Sequence, residues 1–265
     1  MNTIIKKRVQ QNDERIEDLR ACTARIVVRE LLAMYETVDE KRAVTQRALK
    51  AFVDHRWLEG ALLAEKADQS DPTLQAYLGH CYFHGKGVAS DAATAVGWFR
   101  KSAEQGNVMA MFNLAYCLFN GEGVARDVVE AAKWYRSAAV RGDVFSQRIM
   151  GVLSEIGEGV PQNWSEAAHW YWMAADQGDA RAQNAYGVCL KDGYGAERNL
   201  EEAVFWFRKA VLQDYPRAMF NLGSCYAEGV GVPRNQAEAV NWWRRAAQMG
   251  LEDARKILLE QGEAY

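Results

Sequence analysis

Residues 108–143 read VMAMFNLAYCLFNGEGVARDVVEAAKWYRSAAVRGD, and residues 216–251 read PRAMFNLGSCYAEGVGVPRNQAEAVNWWRRAAQMGL. Aligned without a gap, they are two versions of one 36-residue phrase, and that phrase occurs five times in succession, beginning at Pro72, Val108, Val144, Ala180 and Pro216. A fixed period between about 20 and 50 residues is the mark of a solenoid, in which each unit buries its apolar face only by stacking on its neighbours.

Numbered by place in the phrase, position 7 is large and apolar (Leu78, Leu114, Met150, Tyr186, Leu222), position 8 is small (Gly79, Ala115, Gly151, Gly187, Gly223), and position 11 is usually Tyr or Leu. Spacings of three and four put these on one face of a first helix, helix A, and the small residue lets a second helix approach closely. Helix A stops at Gly-x-Gly-Val, as in Gly85, Gly87 and Val88; the fourth copy has Gly193 and Gly195 but Ala196. These glycines fit a helix end better than a phosphate loop, because no copy follows a strand or carries the Lys-Ser/Thr that such a loop needs. Helix B opens at position 20 with an N-cap (Asp91, Asp127, Asn163, Asn199, Asn235), followed three residues later by Glu130, Glu166, Glu202 or Glu238, which reads as a capping box. An Ala (Ala95, Ala131, Ala167, Ala203, Ala239) and then a Trp (Trp98, Trp134, Trp170, Trp206, Trp242) follow, with Phe99, Tyr135, Tyr171, Phe207 or Trp243 next to the Trp. The Trp is expected to be the main core filler, with a partner for its N–H. Gly106, Gly142, Gly178 and Gly250 end helix B, with Asp214 as the exception.

Leu-Gly-x-x-Tyr, Gly-x-Gly-Val-x-x-Asp/Asn, Ala-x-x-Trp-Phe/Tyr and Ala-Ala-x-x-Gly-Asp together resemble the Sel-one-like repeat, a relative of the tetratricopeptide repeat. The resemblance covers residues 72–251. It implies an all-α fold, a right-handed α/α superhelix of helix-turn-helix repeats, used as an adaptor or scaffold in multiprotein complexes, with no shared catalytic residues and no cofactor.

The remainder divides into two ends. Residues 3–36 contain no Gly or Pro and carry Ile5, Val9, Ile16, Leu19, Ile26 and Leu31 among many charges, which predicts a long amphipathic helix for 1–36. It serves either as a cap over the first repeat or as a docking arm for a partner. Thr37 and Glu40 form a further capping box, and residues 37–71 read as a degenerate hairpin whose second helix starts at Trp57. Residues 252–265 begin like a sixth helix A and break off before a Trp pair, as a capping helix does. Formal charge is -3 with both signs interspersed, so the basic footprint of a nucleic-acid binder is missing, and no stretch approaches a membrane span. Secretion is not expected, since no small-residue cleavage site follows an apolar run. A reducing compartment is expected: the cytoplasm, with the mitochondrial matrix as the alternative.

Candidate chemistry is sparse. Cys81, Cys117, Cys189 and Cys225 share position 10, where the third copy has Leu153. A row translated by one repeat neither meets the roughly 7 Å Cα limit of a disulfide nor converges on one metal ion, so these read as buried apolar thiols. His80 and His84 stand one turn apart but lack a third ligand, and are taken as surface histidines. Some secreted members of the resembled family pair cysteines between helices and have been credited with a penicillin-hydrolysing activity. This chain has no second cysteine in any copy and no Ser-x-x-Lys with its supporting motifs.

In the tetratricopeptide relatives the helix A stripe opposite the packing face lines a concave groove, and the resemblance carries that over to a peptide or helix of a partner protein. Here the stripe holds Tyr77, His80, Phe112, Asn113, Tyr116, Phe145, Arg148, Arg181, Asn184, Arg217, Phe220 and Asn221. Aromatic residues gather in the first two copies and cations in the last two, which would suit a ligand with an apolar half and an acidic half. The third copy also carries Trp172 at position 29, where the other copies have Arg100, Arg136, Arg208 and Arg244. With Trp164 and His169 it makes a second candidate patch on the outer face, open to a partner or covered by the N-terminal helix. The expected function is therefore that of a non-enzymatic adaptor or a fixed subunit of an assembly. RNA binding by helical repeats and hydrolysis are the alternatives, although position 5 (Ala76, Phe112, Arg148, Asn184, Phe220) is too irregular for a base-reading code.

Overall fold

The computed structural model describes residues 38–263; the predicted helix of residues 1–36 and the Thr37 cap lie outside them. Among the described residues there are thirteen helices and no strand. The described residues divide into two compact units, one ending at Arg126 and the other beginning at Asp127.

The first unit holds α1 (Val38–Val53), α2 (Trp57–Ala64), α3 (Pro72–His84), α4 (Ala92–Glu104) and α5 (Val108–Asn120). The second holds α6 (Val128–Val140), α7 (Val144–Ile156), α8 (Trp164–Asp176), α9 (Ala180–Asp192), α10 (Leu200–Val211), α11 (Pro216–Glu228), α12 (Gln236–Gln248) and α13 (Glu252–Glu260). The predicted start and stop signals set these bounds. Asp71, Asp91, Asn107, Asp143 and Asp179 each accept a backbone N–H of the helix they open, a bond that stabilises by about 1 kcal/mol. Each helix A ends on a left-handed glycine, with φ between 68° at Gly85 and 77° at Gly193. Asp214, which stands where the other helices B have Gly, is left-handed as well, at φ 54°, a conformation Asp adopts more readily than most residues.

The Glu of the capping box does something other than its motif predicts. The side chains of Asn163, Asn199 and Asn235 do accept from Glu166, Glu202 and Glu238 N–H. The N-cap N–H groups, however, donate to helix A carbonyls, at Ser154, Leu190 and Tyr226. The carboxylates accept an indole instead: Trp134, Trp170 and Trp206 donate Nε1–H to Glu130, Glu166 and Glu202 at 3.1–3.3 Å.

Burial also corrects the expected core filler. Trp170 and Trp206 are buried as expected, but Trp98, Trp134 and Trp242 are only half-buried, whereas the adjacent ring is buried in every copy: Phe99, Tyr135, Tyr171, Phe207 and Trp243. The cause is position 8. A Cβ added at Gly79 would lie 2.5 Å from the Phe99 ring, and at Gly223 2.7 Å from Trp243, so the missing side chain is the socket that admits the ring.

A second tie escaped the sequence reading. Gln105 donates to Gln75, Gln177 to Gln147 and Gln213 to Gln183, at 2.7–3.0 Å, each joining the end of helix B to the start of its own helix A. Gln147 and Gln183 also donate to Ala139 and Ala175 carbonyls of the preceding helix B, so buried amides stitch successive copies as well.

The first hairpin meets the turn that follows α3 much as the helices B meet theirs. Gly123 of one turn lies against the backbone of Ala92, the first residue of the preceding helix B, and Gly87 lies in the same way against Trp57, the first residue of α2. That spacing is 30 residues instead of 31, one residue short of the phrase. The socket is reversed too: Phe52 on α1 fills the space at Gly60 on α2. At the other end, Ala254 and Leu258 of α13 are fully buried in the core they share with α12.

Candidate partner-binding surfaces

In the first unit the helix A stripe divides. Tyr77 stacks on Phe52, with centroids 5.2 Å apart, and packs on the first hairpin's core. His80 is half-buried instead of a surface group. Trp57 lies 5.3 Å away, His84 4.4 Å away, and Lys86 Nζ stands 3.2 Å from its Nε2. Burial first, and then electrostatic interaction with His84 and Lys86, pulls its pKa down to about 4, so the ring accepts from the ammonium of Lys86. Phe112, Asn113 and Tyr116 come together with Phe83, His84, Phe99 and Cys117 around an open cleft of about 200 Å3. Tyr116 is 40% exposed at its edge and meets Phe83 edge-on at 6.2 Å. Cys117 closes the floor as an inert thiol, its pKa pushed up to about 12 by burial and by Glu122.

In the second unit the predicted cationic half is largely answered by the chain itself. Arg148 lies 3.4 Å from Asp179, without hydrogen-bond alignment at Nε, and Arg217 lies 2.5 Å from Asp253. Asn184 is buried and accepts from Asn221 at 2.8 Å. Phe220 is half-buried beside Trp243. Phe145 and Arg181 remain exposed. The acids at positions 36 and 2 that pair with the arginines are visible in the sequence, but nothing in a linear reading says that Asp179 and Asp253 turn toward this stripe.

On the outer face Trp172 is 43% exposed and Trp164 36%. They belong to separate ring pairs: Trp172 tilts over His169 at 6.0 Å, while Trp164 lies 4.9 Å from Tyr194 of the following turn. Phe205 on α10, Leu212 at its C-cap and Val140 on α6 are exposed as well. Sequence reasoning missed these three, although they occupy positions 26 and 33, on the same helix B face as Trp172. Among the described residues no group of three or more His, Cys, Asp or Glu could hold a metal ion, and no helix is long and apolar enough to cross a membrane.

The Sel1 repeat family model matches residues 72–107, 108–143, 144–179, 180–215 and 216–251, which are the five phrases. Among solved structures, a Sel1 repeat protein from Oxalobacter formigenes is 31% identical, with a TM-score of 0.74 over 81% of this chain and 86% of its own. The protective antigen c5321 of uropathogenic Escherichia coli, described as displaying an SLR fold, is 28% identical, with a TM-score of 0.74 over 90% of this chain and 52% of its own. No curated protein matches the chain.

Proposed function

Because the chain belongs to the Sel1 repeat family of all-α solenoids, whose members are generally protein-interaction scaffolds, we propose that it is a non-enzymatic adaptor that holds a segment of a partner protein within a larger assembly. The observation that carries this is the open cleft of Phe83, Phe112 and Tyr116 with Asn113. Aromatic walls supply contact area at little entropic cost, and the amide can bond a ligand backbone or stay hydrated when none is bound. Tyr77 and His80 support the first of these helices from behind, and Phe145 and Arg181 offer a second, more polar contact. Asn184, Arg148 and Arg217 hold the scaffold together. The four buried thiols suit a reducing compartment, the cytoplasm or the mitochondrial matrix.

The test is crosslinking during affinity purification of the intact chain. Partner peptides are expected to crosslink beside α3 and α5, and the Phe112→Ala, Tyr116→Ala double variant is expected to lose them while keeping its helical circular dichroism. A partner retained in full by that variant, or a salt-sensitive shift with RNA in its place, would overturn the proposal.

A further inference from the structure

The outer edge of helix B in the second unit has a regular charge pattern with one break in it. Position 29 runs Arg136, Trp172, Arg208 and Arg244 along α6, α8, α10 and α12. Lys209 and Arg245 stand beside the last two, although the whole chain carries a net charge of -3. The first two of these helices are adjacent, since Arg136 reaches Glu166 of α8 at 2.5 Å, and the constant 36-residue phrase repeats that step along the row. An exposed indole therefore stands in a row of guanidiniums, with 51% exposed Phe205 on α10 and 85% exposed Leu212 at its C-cap. Several of these cations have neighbours: Arg244 lies 3.2 Å from Glu263, Arg208 donates to Tyr226, and Lys209 sits 4.8 Å over the Phe205 ring. Those pairs are solvent-exposed, and a guanidinium has five N–H donors, so an incoming carboxylate can share the group without displacing the first.

We infer that this edge binds an extended acidic segment of a partner protein, an apolar side chain seating on Trp172 between carboxylates that meet the arginines on either side. The inference rests on reading the chain as a scaffold and adds a second site with its own ligand chemistry. Packed helices repeat at about 8–10 Å, and an extended peptide advances about 3.3 Å per residue. Neighbouring copies are thus matched by every third residue, giving the pattern acid-x-x-apolar-x-x-acid. A short acidic peptide fits better than a long polyanion, because the negative charge of the whole molecule repels the latter beyond the row itself.

The probe is a fluorescein-labelled 13-residue peptide with a central Leu and Glu at three and six residues on both sides, measured by anisotropy against the full chain. Its counterpart has Lys for every Glu, and a single-stranded DNA oligonucleotide is the third ligand. The acidic peptide is expected to bind and to weaken at least tenfold with Trp172→Arg, which installs the side chain other copies carry there, and with Arg208→Glu. It is expected to bind the Phe112→Ala, Tyr116→Ala variant undiminished. Failure of the acidic peptide to bind, equal binding of the Lys peptide, or indifference to both outer-edge variants overturns the inference. Loss only in the Phe112, Tyr116 variant would leave the cleft as the binding site and this edge without a role, and tighter binding of the oligonucleotide, lost with Arg208→Glu, would assign the edge to nucleic acid instead.

Discussion

At His80, burial beside Trp57, with the electrostatic influence of His84 and Lys86, makes the neutral ring the stable form, with a pKa of about 4. Above the ordinary histidine value of 6.5 the ring is neutral in folded and unfolded chains alike, so its contribution is complete there. Below 6.5 the unfolded chain takes up a proton that the folded chain refuses, and stability declines as pH falls toward 4. Urea titrations at pH 7 and pH 5 should therefore show a larger loss for the wild type than for His80→Gln; equal losses would mean the ring is more solvated than its neighbours indicate. The cysteines make the complementary case. Burial raises Cys81 and Cys225 to about 11 and Cys117 and Cys189 to about 12, so their thiolates are scarce at neutral pH. With Ellman's reagent at pH 8 these four are expected to react only as the chain unfolds, and prompt reaction of the native protein would contradict their burial. Their inertness was legible in advance, because the third copy puts Leu153 at the same position. The situation of His80 was not, since it depends on Trp57, a residue outside the five phrases.

Between elements, the glutamine pairs show what a repeat comparison can reveal when two positions are read together. Copies with Gln at position 4 (Gln75, Gln147, Gln183) have Gln at position 34 (Gln105, Gln177, Gln213), while the fifth copy has Met219 and Met249. Read singly, each position is merely variable; read as a pair, they change together because one amide answers the other across the hairpin. Gln147→Met alone strands the amide of Gln177, an expected cost of about 1–3 kcal/mol. Adding Gln177→Met recreates the fifth copy's pair and should recover part of that loss, a coupling of about 0.5–3 kcal/mol measurable by a double-mutant cycle in urea. Strict additivity would show that the two amides act independently. The capping-box glutamates went unread for a related reason: the motif names a local acceptor, whereas the indole one turn on, buried at Trp170 and Trp206 and half-buried at Trp134, is the group in need of one. Ala196 teaches the reverse lesson. The sequence marked it as a departure from Val, and in the structure a cleft of about 560 Å3 lined by Tyr186, Leu190 and Leu200 opens at that point. Ala196→Val is expected to stabilise by about 1 kcal/mol, from its added methyl groups, seen as a rise in melting temperature.

For the whole molecule, the phrase specified the helices, their caps and their sockets almost to the residue, because each is set within one copy or between a copy and the next. The first hairpin was harder to read, since its contact with the following turn comes one residue short of the phrase and its aromatic stands on the opposite helix. The stacking also implies how stability is distributed. A solenoid is stabilised mainly by nearest neighbours, so damage at one end should stay near that end. Leu258 is wholly buried where α13 closes the fifth copy, and Leu258→Ala removes contacts worth about 2–5 kcal/mol. Hydrogen exchange of the variant is expected to accelerate in α11, α12 and α13 and to leave α1 to α4 at wild-type protection. Helices α1 to α4 belong to the other compact unit, and their two hairpins each retain their own ring in their own glycine socket, Phe52 at Gly60 and Phe99 at Gly79. If α1 to α4 lost protection in step with α13, the chain would be unfolding as one cooperative body, and the fixed 36-residue period would describe its construction without describing its energetics.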